Sequence, residues 1–256
     1  KRVCAYCDFY KSADLRLMKA VVEAMHDELR REAGFLPAEQ LRTIYFGGGT
    51  PSLLPPEELE EFIAHAAELF DCTALEECTV EANPDDLTPD YLRRLARTRV
   101  DRLSIGVQSF DDGELRLMNR RHTADAARKA VRQAQEAGFG NVTVDLIFGV
   151  PGFGAATLAR NLRETVALGV QHVSAYHLTV EPQTAFGRRM AQGRFSPVTE
   201  ETSEEEFLTV HRTLRDAGFE HYEVSNYALP GRRAIHNSAY WSGDPYLGIG
   251  PAAHSF

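Results

Sequence analysis

The stretch Asn141–Pro151, NVTVDLIFGVP, decides how this chain is expected to fold. It is an apolar, Val- and Ile-rich run that closes on glycine and proline, and it reads as a strand. Runs of the same kind recur on both sides of it. Upstream are RTIYFGGG from Arg42, ECTVEANP from Glu77 and DRLSIGVQ from Asp101. Downstream is QHVSAYHLTVEP from Gln171, with HYEVSNY from His221 as a sixth candidate. Helical patterns fill the intervals at Pro56–Phe70, Pro89–Arg97, Ala124–Ala137, Ala155–Leu168 and Glu201–Ala217. Two of them end in Ala-Gly-Phe, at Gly138 and Gly218, with glycine where a helix commonly stops. Strands alternating with helices predict βαβ units and a parallel sheet.

Polar residues gather toward the downstream ends of these strands. Gly47–Thr50 follows the first run, Glu81 and Asn83 end the second, and Gln108 ends the third. Asp145 lies within the fourth, and Tyr176 and His177 within the fifth. One such residue is ordinarily a solvated side chain, but several in succession favour a shared site. In a parallel α/β barrel the strand C-termini build the active site. The expected fold class is therefore α/β, an incomplete parallel (β/α) barrel.

Composition excludes several function classes. The 256 residues carry a net charge of −9 with both signs interspersed, which leaves no basic face for nucleic acid. No apolar run reaches the length of a membrane span, and no charged-then-apolar leader opens the chain. Four cysteines in this length do not form a secreted disulfide framework. The expectation is a soluble, cytoplasmic protein. No Pro/Gly/Ser-rich linker marks a domain boundary.

Two of those cysteines stand three positions apart, Cys4 and Cys7 in CAYC. A zinc ribbon or a redox pair uses the same spacing, so the pair by itself leaves the metal open. GGGTP, Gly47–Pro51, lacks the lysine that ends a P-loop. It reads either as a convenient strand-to-helix turn or as backbone that lets a ligand approach. Cys72 and Cys78 flank the start of a strand and read as inert small hydrophobes. His26, His65 and His211 lie on helical stretches and read as solvated or partly buried.

CAYCDF followed by YFGGGTPSLL, EANP, GVQSF, NRRH and DLIFGVPG is a specific ordered set. In it the chain resembles radical S-adenosylmethionine (SAM) proteins of the coproporphyrinogen dehydrogenase–HemW group, over nearly its whole length. The resemblance implies a radical SAM barrel core over residues 1–180, with a continuation over 181–256 and a smaller C-terminal domain beyond. The family cysteine motif is CxxxCxxC. Cys4 and Cys7 match its second and third cysteines, so the first cysteine and a first strand are expected before Lys1. Three thiolates hold a 4Fe–4S cluster and leave one iron open. SAM binds that iron, and an electron from the cluster cleaves its sulfonium C–S bond.

By the same match, Tyr6, Gly48, Gly49, Thr50, Glu81, Gln108, Arg120 and Asp145 are the expected SAM contacts. Tyr6 would pack near the adenine, and Arg120 offers a planar fork to the methionyl carboxylate. Gln108 and Asp145 suit ribose hydroxyls. Glu81 suits either the ammonium or a ribose hydroxyl.

IHNSAYW, Ile235–Trp241, matches the HNxxYW motif associated with haem in the HemW-type members. There His236 would offer an imidazole to haem iron, with Asn237, Tyr240 and Trp241 beside the porphyrin. The bland reading is that His236 and Asn237 tie down a loop while the aromatics fill a core. His254 is a further possible ligand. Two functions follow from the resemblance. One is a haem chaperone that binds haem, cluster and SAM and passes haem to an acceptor protein. The other is an oxygen-independent coproporphyrinogen III dehydrogenase. The dehydrogenases carry a further cysteine two residues after the third cluster cysteine, where this chain has Phe9. That and HNSAYW favour the chaperone, with an electron donor as a further partner.

Overall fold

The computed structural model describes residues 3–10, 14–37 and 40–256. Five strands run parallel: β1 (Thr43–Phe46), β2 (Glu77–Ala82), β3 (Arg102–Gln108), β4 (Val142–Phe148) and β5 (His172–His177). Two short strands, β6 (Glu220–His221) and β7 (Asn226–Ala228), complete the sheet in the order β1-β2-β3-β4-β5-β7-β6. The sheet is not closed. It is the mostly parallel, incomplete barrel expected from NVTVDLIFGVP and its neighbours.

One helix precedes β1 and the others lie between or after the strands: α1 (Met18–Glu32), α2 (Pro56–Leu69), α3 (Pro89–Leu95), α4 (Asp112–Leu117), α5 (Ala124–Glu136), α6 (Gly154–Ala167), α7 (Ala185–Ala191), α8 (Glu200–Asp216) and α9 (Ile235–Ser242). Their starts are written in the sequence. Thr88, Thr123, Thr184 and Thr199 each accept a backbone N–H from the first turn of α3, α5, α7 and α8. Their ends are too. Gly138 and Gly218 take φ of 102° and 89°, the left-handed conformation that glycine adopts without a Cβ clash.

Alternation along each strand divides the sheet into two unlike faces. Val80, Leu103, Ile105, Val107, Val142 and Val144 are wholly buried in the main hydrophobic cluster. The intervening residues are polar and face the barrel interior: Glu77, Thr79 and Glu81 on β2, Arg102 and Ser104 on β3, Thr143 and Asp145 on β4. Interior contacts join them across strands, as in Ser104 Oγ to Asp145 Oδ1 at 3.1 Å and Arg102 Nη2 to Thr143 Oγ1 at 2.5 Å.

Two local readings need correction. HYEVSNY is not one parallel strand. The chain turns between β6 and β7, where Glu223 Oε1 accepts the Ser225 N–H at 3.0 Å, and both strands pair antiparallel. IHNSAYW is not a loop either. It is the helix α9, ended by Gly243 at φ 71°. Glu77 Oε2 accepts the Ile235 N–H at 2.7 Å, so a strand residue far away in sequence satisfies the first turn of α9. Among the described residues, no helix is long and apolar enough to cross a membrane.

Candidate functional site

The loop after β1 carries Gly48, Gly49 and Thr50 across the C-terminal ends of the strands. A Cβ on Gly48 or Gly49 would meet nothing within 4 Å, so their backbone faces open space. Gly48 takes φ of 88° and donates its N–H to Glu81 Oε2 at 3.1 Å. The other oxygen of Glu81 accepts the Tyr45 hydroxyl at 2.7 Å. Burial raises the Glu81 pKa, and those two donors oppose the rise.

Gln108 ends β3 beside an irregularity in its pairing with β4, and it is 9% exposed. Its φ of 66° is an uncommon conformation for a residue with a side chain, costing about 1–3 kcal/mol. Such a cost is borne where the position of a side chain matters.

Arg120, in the segment between α4 and α5, gathers the remaining pieces. Its Nη1 donates to Cys4 Sγ at 3.3 Å, and its Nη2 donates to Asn83 Oδ1 at 2.8 Å and to the Gly106 carbonyl at 2.5 Å. Its buried Nε has no partner among the described residues. The Cys4 loop is fixed by backbone as well: Ala5 donates to the Met118 carbonyl and accepts from the Phe186 N–H, each at 3.0 Å. Cys4, Tyr6 and Cys7 are half-buried on this loop.

Asp145 sits inside the barrel on β4, where Ser104 donates to both of its oxygens at 3.1 and 3.4 Å. Burial, assisted by the charge of Glu81, pushes its pKa up to about 7 against the opposing hydroxyls of Ser104 and Ser174. The folded value lies above the unfolded one of about 3.9. Its contribution to stability is therefore complete below about pH 4 and is lost as pH rises through about 7. Asp145→Asn is expected to flatten that slope and to leave the ligand-free protein more stable than wild type at pH 8, by roughly 2–4 kcal/mol. Urea unfolding at pH 5 and pH 8 measures it. Parallel pH dependence in the two proteins would show that Asp145 ionises normally.

The haem-motif residues lie on α9, against β1. His236 is half-buried, with Nδ1 2.8 Å from Thr43 Oγ1 and Nε2 2.9 Å from the Tyr240 hydroxyl. Its ring stacks on Tyr45 at 4.9 Å between centroids. Burial lowers its pKa, which favours the neutral imidazole. Asn237 is half-buried, while Tyr240 and Trp241 are exposed, at 49% and 68%. The bland expectation that these aromatics fill a core is not met. His254 is exposed near the end of the chain.

Residues 1–164 match the family model of the radical SAM superfamily. The chain belongs to that superfamily. It is 37% identical to the haem chaperone HemW of Lactococcus lactis over 254 residues, covering 99% of this chain and 66% of the relative. It is 34% identical to HemW of Bacillus subtilis, covering 100% and 68%. The mitochondrial radical SAM domain-containing protein 1 of Bos taurus is 35% identical, with 98% and 57% covered. The chain thus spans about two thirds of the length of the HemW relatives. Among solved structures, coproporphyrinogen III oxidase (HemN) of Escherichia coli, a radical SAM enzyme, superposes with a TM-score of 0.83 at 22% identity, covering 99% of this chain and 62% of that one. That likeness shows the fold alone.

Membership of the radical SAM superfamily implies a 4Fe–4S cluster and SAM. The residues expected to contact SAM fit that ligand: a glycine backbone open to approach, two half-buried carboxylates as acceptors, and an arginine with an unused buried N–H. Cys4 and Cys7 stand together on one loop held by the backbone of Ala5. Among the described residues, no group of three His, Cys, Asp or Glu completes a metal site. The sequence reading missed Tyr45, Glu77, Arg102 and Ser104. The available signal was the alternation itself, since each occupies an inward position of a strand whose other inward residues are polar.

Proposed function

We propose that this protein is a HemW-like haem chaperone that binds haem, a 4Fe–4S cluster and SAM and delivers haem to an acceptor protein in the cytoplasm. The observation that carries the reading is α9. It presents Tyr240 and Trp241 to solvent beside a half-buried His236, an arrangement suited to a flat apolar ligand and unusual for aromatics left without one. The HemW relatives agree with it.

On this reading Cys4 and Cys7 are two of the three cluster thiolates. When bound, the cluster supplies the single electron that radical SAM chemistry needs, received from an electron donor. Arg120 ties the cluster loop to the strand ends, and its Nε–H, without a partner among the described residues, is a donor left for the methionyl carboxylate. Gly48 and Gly49 admit the ligand, Thr50 borders it, and Tyr6 lies beside the thiolates. Glu81, Gln108 and Asp145 take its ammonium and ribose hydroxyls.

His236 serves as the haem ligand through Nε2, which requires the Tyr240 hydroxyl to release it. Asn237 and Trp241 flank the porphyrin from the same helix. His236→Ala is expected to shift or abolish the Soret band of bound haem while cluster absorbance is unchanged, because Cys4 and Cys7 lie on a different part of the fold. Haem titration of anaerobically reconstituted full-length protein tests this. A wild-type Soret spectrum and affinity in the variant would dismiss His236 as ligand. In parallel, incubation with coproporphyrinogen III, SAM and reductant tests the enzyme reading, and a vinyl product would replace the chaperone by the dehydrogenase.

A further inference from the structure

Tyr45 opens the stretch YFGGGTPSLL but is not among the expected SAM or haem contacts, yet it touches a residue of each set. Its hydroxyl donates to Glu81 Oε1 at 2.7 Å, leaving Glu81 oriented by Tyr45 on one oxygen and by the Gly48 N–H on the other. Its ring lies on His236, with planes 19° apart. From the same strand, two positions back, Thr43 holds His236 Nδ1. Gly47 makes this packing possible: a Cβ there would lie 2.5 Å from Tyr45 Cε1 and 3.0 Å from Glu81 Oε1. The ring is therefore confined between the glycine loop and α9. A shift of the Glu81 carboxylate toward a ligand is passed to Tyr45 by a hydrogen bond and to His236 by direct ring contact.

We propose that Tyr45 is a positioning residue shared by the two sites, so that a ligand engaging Glu81 alters the setting of His236 and α9, and haem on His236 alters the affinity at Glu81. The link rests on the reading of Glu81 and His236 given above. Linkage of this kind is reciprocal and spans about 5- to 150-fold in typical cases.

Trp241 is the single tryptophan of this sequence and sits on α9, 68% exposed, so it reports on α9 without haem present. The test uses haem-free, full-length protein with its cluster reconstituted anaerobically. SAM is titrated while Trp241 emission is followed, with Trp241→Phe as the blank and calorimetry giving the affinity. Wild type is expected to change its emission as SAM saturates. Tyr45→Phe keeps the ring on His236 but removes the bond to Glu81. It is expected to bind SAM more weakly, by about threefold or more, and to lose the emission change. In haem titrations at zero and saturating SAM, wild type should show a linkage of about fivefold or more that falls to about one in Tyr45→Phe.

Saturating SAM with no emission change in wild type, or a Tyr45→Phe variant with wild-type affinity and emission change, would overturn the link. Failure of haem to bind at all would count against the chaperone reading instead, and the emission experiment would still decide the role of Tyr45.

Discussion

Arg102→Ala is expected to destabilise the protein by about 3–5 kcal/mol, as removal of one partner from a buried ion pair does. Arg102 is 1% exposed and Glu77 is 2% exposed, with Nε 3.9 Å from Glu77 Oε2. The guanidinium also donates to Thr143 Oγ1 at 2.5 Å and reaches Thr79 Oγ1 at 3.4 Å. Without it, the partners of Glu77 among the described residues are the Thr79 hydroxyl at 3.0 Å and the N–H groups of Ile235 and His236 at 2.7 and 3.4 Å. Those donors orient a carboxylate but do not neutralise it.

The consequence extends to α9, whose first turn leans on Glu77. Urea unfolding measures the loss, and the thermal midpoint should fall by roughly 6–20 °C for a chain of this size. The double variant Glu77→Gln/Arg102→Met should recover most of the stability, because it removes both charges and keeps much of the volume. A loss below about 1 kcal/mol in Arg102→Ala would mean that water already neutralises the pair.

Arg120→Ala is expected to weaken SAM binding by roughly tenfold to a hundredfold, the scale of one charged hydrogen bond at about 1.5–3 kcal/mol. The fold adds a reason beyond the methionyl carboxylate. Arg120 donates at once to Cys4, Asn83 and Gly106, so it holds the cysteine loop against the ends of β2 and β3. Arg120→Lys is expected to recover little, since one ammonium on a flexible stem does not span three acceptors on different sides. Calorimetry on the reconstituted full-length protein gives the affinities. Wild-type affinity in Arg120→Ala would remove this residue from the site.

Much of the architecture was legible before any coordinates, and the reason is local. A period of two in β1–β5 and an amphipathic period in the intervening helices state which residues are strand and which are helix. Threonine caps and Ala-Gly-Phe ends are read within one turn of chain. The reading failed where local pattern and tertiary contact diverge. HYEVSNY carries strand-forming residues, but a turn at Glu223–Ser225 reverses it. HNSAYW looks like a loop because Asn and Ser are weak helix formers, and its first turn is stabilised by Glu77, 158 positions away.

By itself, the sequence determined the strand–helix order, the parallel sheet and the superfamily, since ordered short motifs survive as patterns of adjacent residues. Only the tertiary structure decided which side chains meet. It set Arg120 between Cys4 and Asn83, buried Arg102 against Glu77, and put Tyr45 between Glu81 and His236. These are contacts among residues tens to nearly two hundred positions apart. Curvature and register of the sheet choose such partners, and neither is written in any local stretch of chain.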